Sequence, residues 1–329
     1  MKLALFLQCA VALATARKVI CTQTPDEIDF PNGVQRVALR TFSLDEPYLH
    51  DGLHSRWYDY GGDAVIKTDS YVRLTHDRPS QVGFVSSRLP LTATSFEVTV
   101  DFKISGKGNL YGDGMAIWIT KERAQMGPVF GGPDMFDGLG LFIDTYKNNR
   151  PGITFPYMMA MHGDGKTHYN KDDDGKHNEL AGCSVRGIHN GQNPSKVRIT
   201  YIKDQLLKVE LDFKDPGKWT TCFKVESPPV LPTSAYLSIS AETGELSENH
   251  DIISVEVNNL FVLGDGAKGR PVGGKSNSKY HQTNSSKRSS SWFGFIVKLL
   301  SIGGGIYAVY KLYVALVSSK QAKKSDLMF

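Results

Sequence analysis

The 329-residue chain has little of several things that would narrow its chemistry at once. It holds 4 cysteines, 4 tryptophans and no cysteine cluster with metal-site spacing, which excludes a disulfide-dense miniprotein and a zinc module. Gly-x-Ser-x-Gly, His-Glu-x-x-His and the phosphate-loop pattern are all missing. Their absence removes the serine-hydrolase elbow, the zincin helix and a nucleotide cradle. No internal repeat occurs, and no helical periodicity separates the apolar runs of the long central region. Positive charge is scarce where nucleic-acid recognition would need it. The formal net charge is +4, but from Asp265 onward there are eleven Lys/Arg against two Asp/Glu, so residues 1–264 carry 27 basic and 32 acidic side chains. An acidic body argues against a nucleic-acid partner, because phosphate recognition needs a basic face.

Two apolar stretches are present, one at each end. Met1 and Lys2 precede the run Leu3 to Leu13 and then Ala14-Thr15-Ala16, the composition of a secretory signal peptide over residues 1–16. The second run, Trp292 to Val317, has 26 residues and would span about 39 Å as a helix, more than a hydrocarbon core of about 30 Å. Lys298 and Lys311 lie within it and can snorkel towards opposite interfaces. Residues 292–317 are therefore expected to form a transmembrane helix. With a cleaved signal, the chain becomes a single-span type I membrane protein with residues 17–263 in the lumen and residues 318–329 as a cytosolic tail. Residues 264–291, rich in Gly, Ser and Lys, have the composition of a flexible stalk, and Asn284 opens a glycosylation sequon there.

The body contains runs of strand character at 95–104, 114–120, 138–146, 196–202, 206–213, 235–240 and 251–263. Alternation is clearest in Val98-Thr99-Val100-Asp101-Phe102 and Val209-Glu210-Leu211-Asp212-Phe213. Short strands joined by Gly/Asp/Asn-rich turns indicate an all-β protein, an antiparallel β-sandwich. Cys9 leaves with the signal, which makes Cys183 and Cys222 the natural pair. Cys21 is left over, for a free thiol or an intermolecular bridge.

Three places carry candidate chemistry. Glu210 and Asp212 are two apart on one strand, as some sandwich glycoside hydrolases present their carboxylates, but a solvated strand face is the better reading. The loop Asn170 to Leu180 matches the start of an EF-hand and then fails at position 12, which is Ala181, so its carboxylate density suits a hard cation held by several loops. In "GLGLFIDTYKNN" an apolar strand runs directly into Asp144, with Tyr146 and Asn148 following at two-residue spacing; a carboxylate, a backbone carbonyl and an amide oxygen make a partial calcium shell. Asp113, set between two glycines before another buried run, is a candidate ligand-contacting carboxylate.

The segments "YVRLTHDRPSQVGF", "FKISGKGNLYGDG", "GDGMAIWITKERAQMGPVFGG", "GLGLFIDTYKN", "DGKHNELAGC" and "TGELSENHDIISV" resemble, in order, the leguminous-type lectins of the early secretory pathway, the ER–Golgi cargo lectins. The resemblance covers roughly residues 38–263. It implies a concanavalin-like jelly-roll sandwich, bound Ca2+, no enzymatic activity and a shallow site for mannose of high-mannose N-glycans. Asp144, the Tyr146 carbonyl, Asn148 and Asp174 would hold calcium, while Asp113, Asn148 and the Gly244-Glu245-Leu246 turn would meet the sugar. The peptide before Asp113 is expected to be cis. The implied partners are high-mannose glycoprotein cargo, a membrane and, through the tail, coat proteins, with residence in the ER, the intermediate compartment or the Golgi. Two positions depart from the family pattern: Lys171 stands where a sugar-contacting histidine is usual, with His168 as a nearby substitute, and Phe84 stands where a small serine is usual. They favour a second reading, a calcium-stabilised cargo adaptor that has lost sugar binding. Lys323 and Lys324 are misplaced for a dilysine retrieval signal, and Leu327-Met328-Phe329 resembles an export signal.

Overall fold

The computed structural model describes residues 33–262, apart from Asp51 and Ala124, together with Lys311. The signal peptide, Cys21, the stalk with Asn284, residues 292–317 other than Lys311 and the tail all lie outside the described residues. Among the described residues no helix is long and apolar enough to cross a membrane.

Among the described residues fifteen strands form two antiparallel sheets. One sheet has eight strands. It runs β13 (Thr220–Glu226), β12 (Leu206–Asp212), β11 (Ser195–Ile202), β6 (Phe96–Ser105), β15 (Asn249–Val262), β4 (Tyr71–Thr75), β3 (Val65–Lys67), with β1 (Val34–Ala38) also paired to β15. The other has seven, in the order β10 (Ala181–Ser184), β9 (Tyr157–Asp164), β8 (Asp137–Asp144), β7 (Gly114–Thr120), β14 (Tyr236–Glu242), β5 (Val82–Ser87), β2 (Tyr58–Gly62).

The eight-stranded sheet shows the alternation its sequence implies. Val98, Val100, Phe102 and Ile104 of β6 are fully buried between the sheets, while Thr99, Asp101 and Lys103 face outward and are less buried. Its outward carboxylates are not the solvated side chains expected. Glu210 and Asp212 are buried, and Glu210 is covered by Arg198 at 3.0 Å and by Lys208.

The seven-stranded sheet is covered on both faces. Met115, Ile117, Leu139, Leu141 and Ile143 enter the inter-sheet core, whereas Ala116, Trp118, Phe142, Met159 and Met161 pack on the opposite side with Phe130, Phe136 and Tyr169. Burial on two faces explains why β7 and β8 read as continuous apolar runs rather than alternating ones. The second aromatic cluster also holds down the loops after β7 and β9, and those loops bring Phe130 and Tyr169 to the site. Strand β9 escaped the sequence reading because Met-Met-Ala-Met carries no β-branched signature.

The disulfide Cys183–Cys222 is present, its Cα atoms 5.4 Å apart. It joins β10 to β13, the edge strands of opposite sheets.

Candidate carbohydrate and metal site

One rung of the seven-stranded sheet sets the site. Glu242 lies opposite Gly114, Gly114 opposite Asp144 and Asp144 opposite Tyr157, so four strands end their pairing in one row. The ladder continues one step further, because the Asp113 N–H donates to the Glu242 carbonyl at 3.1 Å and the Thr145 N–H to the Asp113 carbonyl at 3.0 Å. Asp113 is thereby carried beside Asp144. The Gly112–Asp113 peptide is cis. Gly114 has φ +138, and a Cβ there would lie 2.1 Å from the Ile143 carbonyl oxygen, so only glycine allows the strands to approach this closely.

Asp174 arrives from the loop after β9. Lys171–Asp173 form a single 3-10 turn capped by Asp174 in the left-handed region, φ 51, and the Asn170 side chain accepts from the Asp172 N–H at 3.1 Å. The next residue, Gly175, has φ +65, and a Cβ there would meet the Tyr169 ring at 2.4 Å. Asp174 accepts from the Asn148 N–H at 3.1 Å and from its Nδ2 at 2.7 Å, which leaves the Asn148 Oδ1 to offer. Asp144 accepts from the Tyr146 N–H at 3.1 Å. Arg150 does not neutralise this pair: it donates to the Asp174 carbonyl at 3.2 Å and pairs with Glu179.

Burial, and then the Asp174 charge, hold the Asp144 carboxyl well above the usual carboxylate range. Asp113 is also raised, first by burial and next by Glu242, with Lys171 opposing. Adjacent buried carboxylates without a permanent cation are costly, and a bound cation relieves that cost. The donors on offer are two carboxylates, an amide oxygen and a backbone carbonyl. This is a set of hard oxygens, suited to calcium rather than zinc. Among the described residues no group of three or more His, Cys, Asp or Glu side chains could hold a metal, so any cation must use the amide and carbonyl as well.

These residues surround a cavity of about 360 Å³, lined by Asp113, Asp144, Tyr146, Asn148, Lys171 and Glu242 and floored by Phe130 and Tyr169. Gly244, Glu245 and Leu246 border the cavity rather than line it. A Cβ on Gly244 would lie 3.2 Å from the Asp113 carboxylate oxygens, and one on Gly112 would lie 3.8 Å from Leu246. Glu245 is exposed.

Two expectations change and a third, Lys171, keeps its place. Phe84 is not at the cavity; its ring lies over Gly61 on the opposite edge of the sheet, where a Cβ would come within 2.2 Å. The residue that reaches the turn is Ser80, whose N–H donates to the Gly244 carbonyl at 3.0 Å. His168 is also outside the lining, paired with Asp134 at 2.6 Å. Lys171 does line the cavity, 3.5 Å from Glu242. Glu242, Phe130 and Tyr169 were not foreseen as site residues. The only signal for Glu242 was its position at the end of a buried strand next to the Gly244 turn.

A two-sheet antiparallel sandwich with a shallow, carboxylate-lined cavity at the ends of the central strands is a lectin architecture. The chain belongs to the legume-like lectin family, whose sequence pattern matches residues 35–266. It is 41% identical over 219 residues to an L-type lectin-like domain-containing protein of Schizosaccharomyces pombe, covering 66% of this chain and 70% of that protein. It is 41% identical over 232 residues to the human VIP36-like protein, covering 68% of this chain and 64% of that one. The matches thus span about two thirds of the relatives' own length. Among solved structures, the VIP36 exoplasmic/lumenal domain in its Ca2+/Man-bound form superposes with TM-score 0.66 at 37% identity, covering 69% of this chain and 93% of that one. The Emp47p carbohydrate recognition domain, at 21% identity and TM-score 0.57, shares the fold.

Proposed function

We propose that the protein is a calcium-dependent lectin that binds high-mannose N-glycans on glycoproteins and acts as a cargo receptor in ER–Golgi transport. The observation that carries this reading is the convergence of Asp113, Asp144 and Asn148 on one cavity, with Asp174, from a third segment, hydrogen-bonded to Asn148 behind them. Asp144, Asp174, the Asn148 Oδ1 and the Tyr146 carbonyl would hold the ion. Calcium, when bound, supplies the positive charge that the buried carboxylates lack. Asp113, an acceptor only, takes hydrogen bonds from two sugar hydroxyls, and the amides of the Gly244-Glu245-Leu246 turn donate to them. A shallow site of this kind binds one glycan weakly, so capture of cargo relies on several glycans or on added protein contacts.

The calcium- and mannose-bound forms of the VIP36 domain support the ligand assignment, and that relative's description as a vesicular integral-membrane protein supports the setting. The signal peptide, stalk, span and tail expected from the sequence would hold the body in the lumen of ER, intermediate-compartment or Golgi membranes and expose the tail to coat proteins. A soluble fragment of residues 17–263 is expected to be retained on immobilised high-mannose glycans with calcium and to be lost with chelator or Asp113→Asn. Equal retention in all three cases overturns the reading.

The alternative, a calcium-stabilised cargo adaptor without sugar binding, draws on the Lys171–Glu242 pair at the cavity wall. A glycan array with no calcium-dependent ligand, on a protein whose thermal midpoint calcium still raises, would favour it.

A further inference from the structure

Behind the cavity lies a carboxylate that the proposed binding chemistry does not use. Glu248 has no exposed surface, and among the described residues no lysine or arginine pairs with it. Its neighbours come from five segments. Thr145, directly after β8, donates its hydroxyl to the Glu248 Oε1. His250 Nε2 lies 3.3 Å from the same oxygen, and His189 Nε2 lies 3.6 Å from Oε2. Thr75 donates to the Glu248 backbone carbonyl at 3.1 Å and sits 2.7 Å from His250 Nδ1, while the Tyr111 ring stacks on His189 at 3.6 Å. A buried carboxylate with no permanent cation beside it costs stability, so its retention calls for another reason.

Thr145 supplies that reason. It stands between Asp144 and Tyr146, two of the residues placed around the cation, and its N–H closes the ladder to the Asp113 carbonyl at 3.0 Å. Fixing the Thr145 side chain therefore fixes the peptide that presents the Asp144 carboxylate, the Tyr146 carbonyl and the Asp113 backbone together. We propose that Glu248 is a positioning residue of the cation site, acting through the Thr145 hydroxyl. This inference rests on the calcium reading of the cavity and adds a residue to it. Groups that orient metal ligands from outside the coordination sphere typically carry about 10- to 100-fold in metal affinity.

The test titrates the full-length chain with calcium ions alone and records the thermal midpoint in chelator in parallel. Thr145→Val, which keeps shape and removes the hydroxyl, is expected to weaken calcium about tenfold. Thr145→Ser restores the hydroxyl and is expected to restore affinity, with a chelator midpoint close to that of Thr145→Val. Glu248→Gln still accepts from Thr145 and should bind calcium much more tightly than Glu248→Ala. Wild-type affinity in Thr145→Val, or serine and valine variants equally weak, overturns the proposal. If Thr145→Val does not fold, equal affinity of Glu248→Gln and Glu248→Ala overturns it instead. A wild-type chain that takes up no calcium would sink the reading of the cavity itself, which these variants leave distinguishable.

Discussion

On the eight-stranded sheet, Arg36 meets Glu97 at 3.0 Å, Lys196 meets Asp101 at 2.7 Å, Arg198 meets Glu210 at 3.0 Å and Arg73 meets Asp251 at 2.7 Å. At the end of the seven-stranded sheet, Asp113, Asp144 and Glu242 line one cavity with Asp174 behind them, and Lys171 is the only lysine or arginine in the lining. The same residue type thus does two jobs. Paired acids on the first sheet complete a folded surface without help. Crowded acids on the second leave that end of the sheet short of a positive charge, the deficit that the proposed calcium ion would meet.

That contrast can be broken at three points, in decreasing order of effect. Arg73→Ala strips the bidentate partner from Asp251, which is 5% exposed, and is expected to cost about 3 kcal/mol in chemical denaturation with or without calcium. Asp113→Asn should do the reverse in chelator at neutral pH and raise stability, while abolishing glycan retention. The sign follows from the raised folded-state pKa of Asp113. The ionised carboxylate costs stability above its unfolded value, and the cost is relieved as pH falls through the folded value. The advantage of the asparagine variant should therefore shrink on acidification and vanish near pH 4, which thermal melts across pH would read; a constant advantage would contradict the assignment. Lys196→Ala, at a half-exposed pair, is expected to change stability by less than about 1 kcal/mol, and less still at high salt.

Much of this was legible in the sequence. Seven strands were found nearly in place because alternation in β6 and β12 and continuous apolar runs in β7 and β8 each leave a mark. Asp113 and Asp144 stood out because glycine-flanked or strand-terminal carboxylates break an otherwise apolar pattern, Asn148 through its two-residue spacing after Tyr146, and Asp174 through the carboxylate density of its loop. What stayed hidden depended on register. Ser80 is in the left-handed region at φ 58, and the bend it makes decides which residue of the segment 80–84 faces the Gly244 turn, which residue counting misassigned to Phe84. Glu242, Phe130 and Tyr169 belong to a strand end and an aromatic cluster whose members are far apart in sequence, so no local spacing announces them. The burial of Glu210 was missed for a similar reason, since its cover comes from Arg198 on the neighbouring strand.

The Cys183–Cys222 bridge has a mechanical consequence. Its two half-cystines tie the edge strand of one sheet to the edge strand of the other, β10 to β13, between which no ladder pairing runs. The bond is therefore a clasp on that seam: reducing it leaves β10 and β13 free to part without breaking a backbone hydrogen bond of either sheet.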